Sequence, residues 1–220
     1  MGRSLRHSVT QGVRPREPIL CLAKPKPGKD SSGSMSLWRL WKQAIFGNYK
    51  PRGDPAAADC VLAFSFGRVE GQAGREPGSS NEDLADFALS AGCGRPLILQ
   101  GEIADAYLTR TSGNVVFRIE QPWNTRKHFD TRHVAVLAFE VMIAHGWRSA
   151  LIVAHPNHLP RAEAVCRRLG IVTVVSSGLR SIRFCSNSSQ RWTRCRRNWI
   201  LRETLAIPYY RIRGWLDLSA

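Results

Sequence analysis

The sequence predicts an α/β domain built on a parallel sheet of about five strands with helices on both faces. Three observations carry that expectation: short apolar runs without alternation recur through residues 59–218, helical patterns separate them, and glycines or capping residues fall at the joints. Strands apolar on both sides belong to sheets buried on both sides. Right-handed crossovers then make the sheet doubly wound.

The elements follow in order. Residues 1–34 are rich in Pro, Gly, Ser and basic residues. They bury too little apolar surface to offset ordering entropy, so they are expected to be a disordered basic tail or to precede a functional start at Met35. Residues 35–58 hold a helix and a linker. Trp38, Trp41 and Ile45 fall at i, i+3 and i+7, with Arg39 and Lys42 on another face, which predicts an amphipathic helix over Leu37–Phe46. The main domain spans 59–218. Its strands are expected at 60–66 (CVLAFSF), 96–100, 115–120, 150–155 and 172–176. Helices are expected at 81–91 with Asn81 as N-cap, at 104–109, from Asp130 or Thr131 to about His145, and at 160–169 ahead of Gly170. A last helix is expected over 189–206, closed by Pro208.

Composition narrows the function. The chain has 220 residues, enough for one sizeable core. No apolar run approaches the ~20 residues that span a bilayer, and no signal-peptide core opens the chain, so a cytoplasmic location is expected. Six cysteines lack any C-x-x-C pair, and Cys60 and Cys166 sit in apolar segments, which fits buried thiols in a reducing compartment. The net charge of +15 is concentrated: residues 1–34 carry +5 and residues 178–215 carry +8. A basic tail and a solvated Arg-rich helix explain that distribution better than a nucleic-acid groove.

Ligands of doubly wound sheets sit beyond the carboxyl ends of the strands. Polar groups collect there in this chain: Gly67 and Arg68 after the first strand, Gln100 and Glu102 after the second, Glu120 after the third, His155 to Arg161 after the fourth, and Ser176 after the fifth. The stretch LIVAHPNHLPRAEAVCRRL is the most informative. It places two imidazoles and a guanidinium where a buried strand meets a helix N-terminus, a position suited to an anion or to acid–base chemistry. A cation in the first helical turn opposes the helix dipole, so Arg161 is expected to serve a carboxylate or phosphate ligand. Its structural alternative is a salt bridge to Glu102 or Glu163. On the dipole argument, removing Arg161 is expected to abolish ligand binding and leave stability level or slightly higher. His155 and His158 straddle a Pro-Asn turn with no third ligand at a recognisable spacing, so no metal site is assigned. The glycines at 67, 71 and 74 fit neither the dinucleotide nor the Walker spacing.

The run V-A-H-P-N-H-L-P-R-A, with Asp130-Thr131 one helix earlier, resembles the DUF218 (YdcF/SanA/ElyC-like) family. Thr131, His158, Arg161 and Ala162 take the places of that family's Asn-Thr pair and His-x-x-Arg-Ala turn. DCVLAFSFG resembles its first strand and glycine turn, and RETLAIPYYRIRGWL its C-terminal helix, with Glu203 at an acidic position. The chain departs in Gln100-Gly101-Glu102, which replaces a Ser-Gly-Gly, and in Asp130, which replaces Asn, so it resembles a divergent member. The resemblance implies a Rossmann-like three-layer domain, S-adenosylmethionine or another nucleotide-like ligand, and in some branches a cell-envelope role.

The leading expectation is an enzyme or ligand-binding domain for a small anionic, nucleotide-like molecule at the strand ends. His158, Arg161, Glu102 and Asp130 are its candidate catalytic residues. Gly67, Arg68, Asn81, Gln100, Thr131, His155, Gln190 and Glu203 are its candidate ligand contacts. Two other readings stay open at this level: a peripheral membrane or envelope factor docking through residues 37–46, and a nucleic-acid-associated protein using the Arg-rich C-terminal stretch with Trp192 and Trp199.

Overall fold

A computed structural model describes residues 11–12, 36–71, 74–111, 116–120 and 130–218. The expectations for the remainder of 1–34 lie outside the described residues. Five strands form an all-parallel sheet: β1 (Cys60–Ala63), β2 (Leu97–Gln100), β3 (Val116–Ile119), β4 (Ser149–Val153) and β5 (Val172–Val174). Their order is β3-β2-β1-β4-β5, and Gln11–Gly12 pairs in parallel beside Phe117 and Arg118 at the outer edge. The chain is a Rossmann-like three-layer α/β sandwich.

Among the described residues six helices surround the sheet: α1 (Leu37–Phe46), α2 (Ser79–Gly92), α3 (Gly101–Leu108), α4 (Thr131–Ala144), α5 (Leu159–Arg168) and α6 (Arg196–Ile212). The sheet grows from β1 to β3 in one direction and from β4 to β5 in the other. Right-handed crossovers therefore put α2 and α3 on one face and α4 and α5 on the opposite one. In accord with that, α2 packs on α3 and α4 on α5, while α1 bridges α5 and α6. The strand order reverses between β1 and β4, and that is where a crevice opens.

Several expectations about elements are corrected. The apolar run 60–66 ends as a strand at Ala63: Phe64 N–H still bonds Val153 C=O at 2.9 Å, but Ser65 N–H and Phe66 N–H turn to the side chains of Gln100 and Asn81. Helix α2 begins at Ser79 with Gly78 as its N-cap, so Asn81 lies inside the first turn and is free for another task. Helix α3 starts three residues earlier than its periodicity suggests. Residues 191–193 form a separate 3-10 turn, so Trp192 and Trp199 are not one stripe of a single helix. Pro208 lies within α6 rather than closing it, because the following turn is anchored by buried Ile207 and Tyr210, and packing overrides a local penalty. The buried face of α1 is Leu40, Ala44 and Ile45; Trp38 points outward and is 57% exposed.

Candidate functional site

The fourth strand delivers its histidines as anticipated, but to different surroundings. After Val153 the chain turns through Pro156, and His155 C=O accepts from His158 N–H at 2.7 Å and Leu159 N–H at 2.9 Å, which starts α5. Asn157 is buried and donates to the C=O groups of Ala44 and Ile45, both at 2.8 Å, tying down the last turn of α1. Its own C=O accepts from Trp199 Nε1 at 3.1 Å. This turn therefore joins three elements.

His155 faces away from the crevice. Its ring stacks on Phe66, centroids 3.9 Å apart, and Nδ1 accepts from Asn157 N–H at 3.3 Å. Burial pushes its pKa down to about 3, against a small opposing pull from Asp83. His158 lies among Phe64, Phe66 and Trp199. Burial first, then the positive fields of Arg161 and Arg202, hold its pKa well below the ordinary histidine value.

The centre of the site is a chain of polar groups. Arg161 Nε donates to both carboxylate oxygens of Glu203, at 2.9 and 3.1 Å, and Nη2 donates to Oε1 at 2.9 Å. Arg161 Nη1 donates to Thr131 Oγ1 at 2.6 Å, and Thr131 Oγ1 lies 3.0 Å from His158 Nε2. Arginine can only donate, so the Thr131 oxygen accepts from it, and the direction of the bond to Nε2 follows the imidazole tautomer. His158 Nδ1 has no protein partner. Thr131 is placed by α4, whose N-cap Asp130 accepts from His133 N–H at 3.0 Å and exchanges a further bond with its ring.

Above this chain a small cleft of about 70 Å³ opens over the ends of β1 and β2. Of the expected residues, His158, Arg161, Asp130, Gly67, Gln100, Thr131 and Gln190 line it. Five do not. Glu102 lies in the first turn of α3 and is not on the cleft wall. Arg68 turns to Glu70, 3.4 Å away. Asn81 is buried behind the wall, where Oδ1 accepts from Phe66 N–H at 2.8 Å and Nδ2 donates to the C=O of Gly67 and of Pro77. His155 is stacked in the core, and Glu203 is wholly buried beneath Arg161. The structural alternative for Arg161 thus has a third partner: the carboxylate is Glu203, neither Glu102 nor Glu163. Gly67 has φ +81°, and a Cβ there would lie 2.7 Å from Thr193 Oγ1, so its need for glycine comes from close packing as well as from the cleft.

Residues that the sequence assigned to the nucleic-acid reading, not to this cleft, complete the wall. Arg202 and Trp192 are the most consequential. The Arg202 guanidinium lies 4.8 Å over the Trp192 ring, its Nε is buried with no partner, and among the described residues no salt bridge joins it to a carboxylate. Burial and then the like charge of Arg161 lower its pKa. Its position three residues after Trp199, beside the buried stripe of α6, was the available signal. Treating the whole stretch as a solvated basic face hid it.

Fold and site together define a Rossmann-like α/β domain with an arginine-bearing cleft at the carboxyl ends of its strands. No protein-family model, curated protein or solved structure matches the chain. Among the described residues no helix is long and apolar enough to cross a membrane, and no three His, Cys, Asp or Glu side chains converge as metal ligands.

Proposed function

We propose that this cleft binds a small anionic, phosphate-bearing and nucleotide-like ligand, with Arg202 as the cation that meets it. The carrying observation is Arg202 itself: a partly desolvated guanidinium, crowded by Arg161 and in salt-bridge contact with no carboxylate among the described residues, gains most from an incoming anion. Trp192 offers a ring face beside it for a base or another flat group. His158 and Arg161 are central as the framework that sets this polar floor. The Nδ1 of His158 is an unused polar atom, while Arg161 is occupied by Glu203.

Binding is a better match than proton transfer. His158 is held neutral, and a base with so low a pKa draws protons weakly. The Asp130 carboxylate is engaged in capping α4. The DUF218-like resemblance is consistent with this reading. Thr131, the His158/Arg161 turn and Glu203, which carry it and come from three separate segments, meet in one hydrogen-bonded set. S-adenosylmethionine belongs in the ligand panel on that ground.

Calorimetric titration of the full chain with inorganic phosphate, adenine nucleotides and S-adenosylmethionine tests the proposal. A phosphate-bearing ligand should bind, and Arg202→Gln should weaken it about tenfold or more at unchanged melting temperature, the worth of a charge-assisted contact. Trp192→Ala should weaken nucleotides and leave inorganic phosphate alone. Undiminished binding to Arg202→Gln, or no binding by any of these compounds, would remove the proposal.

A further inference from the structure

Helix α6 is apolar on two opposite faces. Its inner stripe of Trp199, Ile207 and Tyr210 is buried. At about 100° per residue, Leu201, Leu205, Tyr209 and Ile212 fall within an arc of about 80° on the other side. Leu201 is 65% exposed, Leu205 76% and Ile212 85%. The stripe runs for about 16 Å along the helix. A solvated helix face has no need of it.

Helix α1 extends the patch. Trp41 Nε1 donates to Thr204 Oγ1 at 3.1 Å, and Trp38 stacks on Trp41 with ring centroids 4.6 Å apart. That places exposed Trp38 beside the border of the stripe. Lys42 Nζ lies 4.9 Å over the Trp38 ring, and Arg196 lies 5.1 Å over exposed Phe46. Rings carrying cations are amphipathic groups suited to a boundary between water and lipid.

The charge around the patch has one sign. Segments 36–50 and 191–213 hold ten Lys and Arg, of which Arg202 faces the cleft, and a single acid, Glu203, which Arg161 consumes. Among the described residues no salt bridge joins any of the ten to a carboxylate. A second copy packed antiparallel over the stripe would set one basic flank against another, with no acid of either α6 left to answer them. A nucleic-acid backbone would find phosphate partners at the rim and bare aliphatic side chains at the centre.

We infer that the outer face of α6, with Trp38 and Phe46 of α1, docks on an anionic lipid surface. The apolar stripe enters the acyl boundary and the flanking cations meet the headgroups. This surface is distinct from the cleft and does not depend on what the cleft binds.

Co-flotation of the full chain with vesicles tests it, using phosphatidylcholine alone and phosphatidylcholine with about 30% phosphatidylserine. The protein should float with the anionic vesicles and not with the neutral ones. Leu205→Glu/Ile212→Glu, both at exposed positions, should reduce the bound fraction about tenfold while leaving the melting temperature unchanged. Arg197→Gln/Arg211→Gln should also reduce it and weaken its salt dependence. Three results would each overturn the inference: no association with anionic vesicles, equal association of Leu205→Glu/Ile212→Glu, or equal association with neutral vesicles. Sedimentation in the absence of lipid adds a fourth, a wild-type dimer that this variant abolishes, which would assign the face to a second copy.

Discussion

Arg161 and Glu203 form a buried bidentate ion pair that fastens the first turn of α5 to the middle of α6, with side chains 2% and 0% exposed. It opposes the expectation drawn from the helix dipole. A first-turn cation costs at most about 1 kcal/mol at an exposed site, whereas stranding a buried carboxylate costs about 3–5 kcal/mol. Arg161→Ala should therefore destabilise the domain by about 3–5 kcal/mol, measured by urea unfolding. The double variant Arg161→Met/Glu203→Leu should recover much of that loss, because no charge is then left without a partner. A single variant within about 1 kcal/mol of the parent would show that the pair is not the clamp described.

How far the sequence reached is visible in the same residues. Five apolar runs without alternation sufficed for the parallel sheet, because burial on both faces is written directly into composition. The strand-end rule found His158, Arg161, Gln100 and Gly67 because topology places strand ends together whatever the side chains do, while Thr131 came from the resemblance. What could not be read was partnership at long range. Glu203 lies 42 residues from Arg161, and nothing local distinguishes a carboxylate that answers an internal cation from one that meets a ligand. Arg202 was hidden by the opposite error: in a run of arginines, burial of one member depends on the helix register against α1, α5 and the 191–193 turn.

Asn81 illustrates a motif whose chemistry was right and whose target was wrong. An Asn at the head of a helix suggests a cap, yet α2 starts two residues earlier and the side chain is wholly buried against the loop after β1. It satisfies Phe66 N–H, Gly67 C=O and Pro77 C=O at once. Asn81→Asp keeps the shape and the acceptor but sets a carboxylate against two carbonyl oxygens. The expected loss is about 2–4 kcal/mol in urea unfolding, exceeding that of Asn81→Ser, and it should shrink as the pH falls and the acid is protonated. Equal stability of Asp and Asn at neutral pH would mean that the side chain is not the staple of this loop.

The buried histidines set the acid limit of the fold. Near pH 7.5 both the folded and the unfolded chain hold His155 neutral, so it contributes no slope. Below its ordinary value of 6.5 the unfolded chain takes up a proton that the folded chain refuses until about pH 3. Stability must then fall through that window by about 1.4 kcal/mol per pH unit for each such ring once the pH is well below 6.5. His158, shifted in the same direction, adds a second ring. Asp59 and Asp83, whose folded pKa values lie below the ordinary 3.8, contribute stability that is lost only at lower pH, and Glu140, raised by burial, adds stability as the pH falls, so the loss between pH 6 and 5 belongs to the histidines. His155→Phe keeps a ring against Phe66 and Phe184 and removes one titrating site. Urea unfolding between pH 7.5 and 5 should show the variant losing about half as much stability as the parent. Parallel curves would mean that His155 takes its proton without unfolding, and that the stacked ring is not sealed from solvent.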